Sequence, residues 1–487
     1  LVSLEHYPID QNTYNSYVWA RVDLLTGCTQ PSAGFVHLPV SPTPIPRGLS
    51  PRVHWLATAI FTLASCADPE PTDYAEPDMP VDLTEVIDAA EDVPPDSHED
   101  AAPDADQVQP KIDSNCQENG CLREFRFGPR ASKEWLEGVI DPTLQIDNGY
   151  SLYTITYKTG DFESLATIAM PDSPAPEGGF GVVVNAHGTV GLDDLCQLAD
   201  TPSGAGLAGL FASRGTISIA PDYPGLGTPG LHPYLVKDVT ARAVLDAGKA
   251  ALNAAEYLQV LTSGKVALVG LSQGGHAVLA AGEAHKDWAP ELDLVAISAA
   301  GPASGYLEHW APGFGFAGSH LYFATMLLWA WQNHYQWDDA IFLADAEDSV
   351  ASAAQESCLW SPNLEDIPLW PDRLPNEPTE LFRSEFLNQM IAEDLADFPG
   401  LAASFEANRI RGFEAEFPVQ IWQGTLDDVV LLSDTAELLA DLDASGMEID
   451  FQVVEGAGHV NLAFGFVAFQ EMRTEESIAW VKSCLED

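Results

Sequence analysis

From about residue 150 onward, apolar positions recur with the regularity of packed structure. Leu152 to Lys158 alternates apolar and polar side chains like a half-exposed strand, and Leu165 to Met170 reads as its antiparallel neighbour. Four further runs, Gly181 to Ala186, Thr216 to Ala220, Lys265 to Val269 and Leu292 to Ile297, are apolar without alternation. Strands of that kind are covered on both faces, which predicts a buried parallel sheet. Helix-like stretches separate them near Gly206–Ser213, Val239–Val260 and Gly275–His285. Strand alternating with helix gives an α/β, doubly wound architecture.

Between Pro302 and about Phe417 the pattern breaks. The chain there is aromatic and interrupted by proline, with Trp310, Trp329, Trp331, Trp337, Trp360 and Trp370. It resumes with a strand at Pro418–Gln423, a helix at Ser433–Ala444, a strand at Ile449–Val454 and a closing helix from Leu462 to Cys484. Residues 302–417 are therefore expected to form a mainly helical cap over the carboxyl edge of the sheet, where such sheets place their ligands.

Ahead of this domain the chain reads differently. Residues 1–50 are rich in proline and lack periodicity, and they open on Leu1. They are expected to be an unstructured leader or the product of a start codon assigned too early, with initiation near Leu49 or Val53. In 51–66 a short apolar stretch, Trp55–Ser65, follows Arg47 and Arg52 and ends in Leu63-Ala64-Ser65-Cys66. It is too short to span a bilayer and fits a signal peptide. The final quartet is similar to a lipobox, with Cys66 as the lipidated residue. Residues 67–115 carry sixteen acidic side chains and one basic one, Lys111, among many prolines. Such a segment is expected to be a disordered, self-repelling tether. Its carboxylates lack the spacing of a calcium loop. Residues 116–487 are expected to form the folded α/β domain.

Charge narrows the partners. Of 487 residues, 73 are acidic and 21 basic, a formal net charge of −52, and mean hydropathy is −0.02. Nucleic acid is excluded, because a phosphate backbone is bound by neutralising it with Lys and Arg, and here acidic side chains outnumber these more than threefold and would repel it. The same balance favours neutral over anionic substrates.

Gly270-Leu271-Ser272-Gln273-Gly274 lies between a predicted buried strand and a predicted helix. That is the context of a nucleophile elbow, in which a strained turn exposes a serine and flanking glycines allow close backbone approach. A serine hydroxyl needs a base and a group that orients the base. Asp427 follows one late strand and His459 the next, in the expected order Ser, Asp, His. Asp428 is the rival acid; Asp427 is preferred because it stands nearer the strand end. An oxyanion hole needs backbone N–H donors. The expected donors are Gln273, directly after the serine, and Thr189 or Gly188 in Asn185-Ala186-His187-Gly188-Thr189, with His187 bracing that loop. His276 and His285 are expected to be structural. Neither metal nor organic cofactor is expected.

Export would leave Cys116, Cys121, Cys196, Cys358 and Cys484 in an oxidising compartment. Cys116 with Cys121 and Cys196 with Cys358 is one pairing; Cys484 with one of the first two is another.

In combination these residues resemble the secretory lipase branch of the α/β-hydrolases over roughly Leu152 to Cys484. The resemblance rests on His187-Gly188-Thr189 with Cys196, Ala220-Pro221-Asp222-Tyr223-Pro224-Gly225-Leu226-Gly227, His232-Pro233-Tyr234, Leu245-Asp246-Ala247, Gly270 to Gly275 and the late Asp and His. It implies a carboxylic ester hydrolase with Ser272, Asp427 and His459 as its triad, a cap over the site, and a Cys196–Cys358 bridge fastening the oxyanion loop to the cap. Leu271 departs from the commoner tyrosine. Together with the signal segment, the expectation is an exported, membrane-anchored lipoprotein acting on small-molecule or lipid esters. A peptidase of the same fold, and a catalytically silent ligand-binding lipoprotein, are the alternatives.

Overall fold

The computed structural model describes residues 20–22, 34–36, 112–140, 144–304, 319–359, 368–392, 394–459 and 474–486. The proposed signal segment with Cys66, nearly all of the acidic tether, Trp310, Trp360 and the first part of the expected closing helix lie outside them. The chain divides into two units, Leu1–Asp82 and Leu83–Asp487. In the first, where an unstructured leader is expected, β1 (Ala20–Val22) pairs antiparallel with β2 (Gly34–Val36).

The second unit is built on a nine-stranded sheet. Its strands are β3 (Leu122–Ala131), β4 (Tyr150–Thr159), β5 (Phe162–Pro171), β6 (Phe180–Ala186), β7 (Ile217–Pro221), β8 (Thr262–Leu271), β9 (Asp293–Ala300), β10 (Val419–Gly424) and β11 (Ile449–Val454). The spatial order is β11-β10-β9-β8-β6-β7-β5-β4-β3. From β7 to β11 every pairing is parallel, whereas β3, β4 and β5 are antiparallel to their neighbours. The sheet is thus mostly parallel: the chain runs inward from the edge through β3, β4 and β5, passes to β6, returns to β7 between them, and then continues outward from β8 to β11. Strand β3 departs from the expectation, which began the sheet at residue 152. It is an edge strand, mostly exposed, with register shifts at Leu122/Glu124 and Phe127/Arg130, so it carries no buried apolar stripe to reveal it.

Helices cover both faces: α1 (Lys133–Val139), α2 (Pro202–Ala212), α3 (Lys237–Tyr257) and α4 (Gln273–Trp288) precede the cap. The cap contributes α5 (Ser319–Tyr335), α6 (Ala344–Glu356), α7 (Trp370–Arg373), α8 (Pro378–Leu381), α9 (Ser384–Ile391) and α10 (Pro399–Asn408). The core resumes with α11 (Leu432–Ala444) and α12 (Thr474–Glu486), the latter within the expected closing helix Leu462–Cys484 over its described residues but for the last two. The unalternating strands find their reason here. Val182 and Val184 face one cluster with the alanines of α3, while Val183 faces another with Phe211, Ile478 and Val481. Alanine on α3 lets that helix pack closely on β6, β7 and β8.

The cap has its own apolar interior, with Trp331, Phe342, Trp370, Phe382, Phe386 and Phe398 buried. Most of the aromatic character of 302–417 among the described residues therefore serves the cap's own packing. Cap and core are tied covalently by Cys196–Cys358, and Cys116–Cys121 closes a loop ahead of β3; Cys484 is in neither bridge. Beside the first bridge, Leu359 N–H donates to Val190 O at 2.7 Å. The bridge spans 162 residues of sequence, so it removes much chain entropy from the unfolded state. Replacing both Cys196 and Cys358 by Ser should lower the free energy of unfolding by ~2–5 kcal/mol. An unchanged urea midpoint would contradict that role.

Candidate active site

Ser272 sits between β8 and α4 with φ 59° and ψ −117°, a left-handed backbone that non-glycine residues rarely adopt. Three backbone bonds pin it. Its N–H donates to Ala300 O at 2.9 Å, and its carbonyl accepts from His276 N–H and Ala303 N–H, each at 3.0 Å. The turn exists because the chain passes itself without side chains. A Cβ on Gly274 would stand 1.9 Å from Ala186 O, and one on Gly270 would stand 2.4 Å from Gly274 C. Ser272 itself is half-buried.

Asp427 and His459 come from the turns after β10 and β11. Register brings those strand ends level, Gly424 opposite Val454, and Gly424 has no room for a Cβ against Ala457 O. His459 Nδ1 lies 2.8 Å from Asp427 Oδ2. The other carboxylate oxygen accepts from Val429 N–H at 3.0 Å and Val430 N–H at 2.8 Å, so both oxygens are fixed. The Asp427 carboxylate is fully buried, whereas Asp428 is exposed and the histidine pairs with Asp427. Gly301 joins this pair to the elbow. It follows Ala300, the acceptor for Ser272, and a Cβ built on it would stand 3.1 Å from Asp427 Oδ2 and 3.2 Å from His459 Nδ1. The structure therefore gathers Ser272, Asp427 and His459 at the carboxyl ends of β8, β10 and β11.

The third part is the loop after β6. Ala186 and His187 lie against Gly274 through their carbonyls, which brings Gly188 and Thr189 beside the start of α4. Gln273 opens that helix, and the first N–H groups of a helix have no partner within it.

A family model for secretory lipase matches residues 205–335, a stretch that includes the elbow. Among solved structures, the rice cell wall degrading esterase LipA from Xanthomonas oryzae superposes with TM-score 0.60 at 20% identity, covering 75% of this chain and 98% of that one. Candida antarctica lipase A in its closed state gives TM-score 0.54 at 18% identity, covering 76% and 83%. No curated protein matches. This chain has the α/β-hydrolase fold. At these identities the structural likeness establishes the fold.

Within this hydrolase fold, buried polar groups that the sequence reading did not single out support the elbow and the loop. Asp222, at the end of β7, accepts from Leu198 N–H at 2.7 Å and Ala199 N–H at 2.9 Å, and stands 3.6 Å from His187 Nε2. Tyr223 Oη donates to His187 O at 3.0 Å. His232 stacks on Tyr223, with centroids 5.4 Å apart. Asp222, Tyr223 and His232 stand in the stretches that carry the family resemblance, but their partners lie far off in sequence, so their roles needed the fold. His276 and His285 each reach a backbone carbonyl, of Asn408 at 3.4 Å and Leu292 at 2.8 Å.

Burial pushes His187 and His276 down to about 4 and His232 down to about 3, from 6.5. Burial pushes Asp222 up to about 7 against its two N–H bonds. As pH falls below 6.5, the unfolded chain takes up protons on three histidines that the folded chain refuses, while Asp222 takes up one in the opposite sense. The unfolded state binds more protons on balance, so stability falls with pH through that window. The thermal midpoint should drop between pH 6.5 and pH 4.5; a constant or rising midpoint would contradict the neutral buried histidines.

Gly301→Ala places a methyl against both Asp427 and His459 at φ +44°. It should abolish the downfield proton resonance of the Asp427–His459 hydrogen bond while the far-UV spectrum stays native. Survival of that resonance would show that the pair has slack.

Proposed function

We propose that the protein is a serine carboxylic ester hydrolase. The observation that carries this reading is the Asp427–His459 pair packed on Gly301, one residue beyond the carbonyl that fixes Ser272 in its elbow. The secretory-lipase match over 205–335 and the esterase and lipase among the fold's neighbours support the ester class.

Ser272 Oγ attacks the ester carbonyl as His459 Nε2 takes its proton, and Asp427 holds the imidazole by Nδ1 and stabilises its charged form. The carbonyl oxygen, now carrying the negative charge, is bound by the N–H of Gln273 and that of Gly188 or Thr189. The positive end of α4 points at the same oxygen. His459 then gives its proton to the departing alkoxide, leaving Ser272 acylated. Water enters and attacks the acyl carbon as His459 takes one of its protons; the bond from that carbon to Ser272 Oγ then breaks, His459 returns the proton to Oγ, and the acid leaves.

The substrate reading is a neutral acyl ester, in keeping with the acidity of 116–487. The secretory-lipase match and the two disulfides suggest export. No helix among the described residues is long and apolar enough to cross a membrane. We assign attachment to a lipid on Cys66, with the acidic tether 67–115 holding the hydrolase away from the bilayer; under Gram-negative sorting, Ala67 rather than Asp after that cysteine favours the outer membrane.

Hydrolysis of p-nitrophenyl esters from acetyl to palmitoyl tests the reading. The wild-type chain should turn over at least one of them, and Ser272→Ala should be slower by ~10⁴-fold or more. Equal background rates for the two proteins would overturn it.

A further inference from the structure

We infer that the His232-Pro233-Tyr234 segment is a two-pronged clamp that sets the spacing of the two oxyanion donors; this rests on the ester-hydrolase reading. The donors come from different elements, Gln273 from the start of α4 and Gly188 or Thr189 from the loop after β6. Each is held by a side chain from the same three residues. Gln273 Nε2 lies 2.8 Å from His232 Nε2, and Thr189 Oγ1 lies 2.8 Å from Tyr234 Oη.

The histidine's tautomer follows from its neighbours. Nδ1 is 3.0 Å from Pro224 O, which can only accept, so Nδ1 carries the proton and Nε2 accepts from the Gln273 amide. Burial pushes His232 down to about 3, so the ring stays neutral and keeps that lone pair.

The clamp is itself anchored. His232 N–H donates to Leu192 O at 3.1 Å, and its backbone fills the space a Cβ on Gly225 would need, 2.4 Å from His232 N. Leu235, the next residue, has φ 54°, a left-handed backbone for a leucine. On the cap side, Trp331 Nε1 donates to Tyr234 O at 3.1 Å. His232 and Tyr234 are both buried. They are positioning residues, acting on the reacting oxygen only through the backbones they fix. Oxyanion donors work when their spacing fits the tetrahedral oxygen, so loosening the clamp should raise the barrier without weakening substrate binding.

The test is steady-state hydrolysis of a p-nitrophenyl ester by the full chain and four variants. His232→Phe keeps a ring on Tyr223 and removes the acceptor; Tyr234→Phe removes one oxygen. Each should lower kcat by about tenfold or more with KM within about twofold, and weaken inhibition by an alkylboronic acid, whose serine adduct is tetrahedral and anionic, by a similar factor. Tyr157→Phe removes another buried hydroxyl, whose bond is to Ala243 O, away from the site, and should leave kcat unchanged. If His232→Phe lacks a cooperative thermal transition, Tyr234→Phe decides. An active wild type with kcat unchanged in the clamp variants, or lowered no more than in Tyr157→Phe, overturns the clamp alone. A wild type no faster than Ser272→Ala overturns the clamp and the ester-hydrolase reading together.

Discussion

Everything at the site depends on one serine held in a backbone conformation that an L-residue resists. Ser272 remains at φ 59° because three backbone hydrogen bonds hold it and because the chain around it lacks Cβ atoms where they would collide. Gly270 and Gly274 let the elbow pass within contact of Ala186 and His187, and Gly301 leaves room for the Asp427–His459 pair. The same absences that permit the turn bring three separate strand ends to one place. A left-handed serine costs about 1–2 kcal/mol of local strain, small beside the packing of β6, β8 and β9 that imposes it.

The second constraint is the burial of polar side chains behind the site. His187, Asp222, Tyr223, His232, Tyr234 and Gln273 are all withdrawn from water, and a buried polar group without partners is expensive. Their mutual bonds offset that cost and leave each group few alternative positions. The cap shares this arrangement through Trp331 and through the Cys196–Cys358 bridge, so the loop after β6 is held from the sheet below and from the cap above.

Much of this was legible in the sequence, and the gaps have physical causes. β6 to β10 lie within a few residues of their predicted runs, because a strand covered on both faces leaves few exposed positions to blur it, and Ile449–Val454 coincides with β11, an edge strand in which Ile449 and Phe451 alternate with Asp450 and Gln452. Strand β3 was not seen, since its Arg and Glu side chains and its Gly128-Pro129 interruption belong to an exposed edge. The order of Ser272, Asp427 and His459 could be read, but the separation of Asp427 from Asp428 needed coordinates: one residue decides which carboxylate faces the histidine. His232 and Asp222 could be quoted as parts of a family pattern without a role, because partners such as Gln273 for His232 and Leu198 for Asp222 lie some tens of residues away. The pattern of 302–417 shows its tryptophans without showing what they pack against; Trp370 and Trp331 are buried in the apolar cluster of the cap.

Activation of Ser272 by the Asp427–His459 pair is read out by peptide mapping after reaction with a fluorophosphonate. A single adduct on the peptide containing Ser272, formed far more slowly in Asp427→Asn than in the wild-type chain, is the predicted result. An adduct on a different serine, or equal labelling rates in the two proteins, would contradict it.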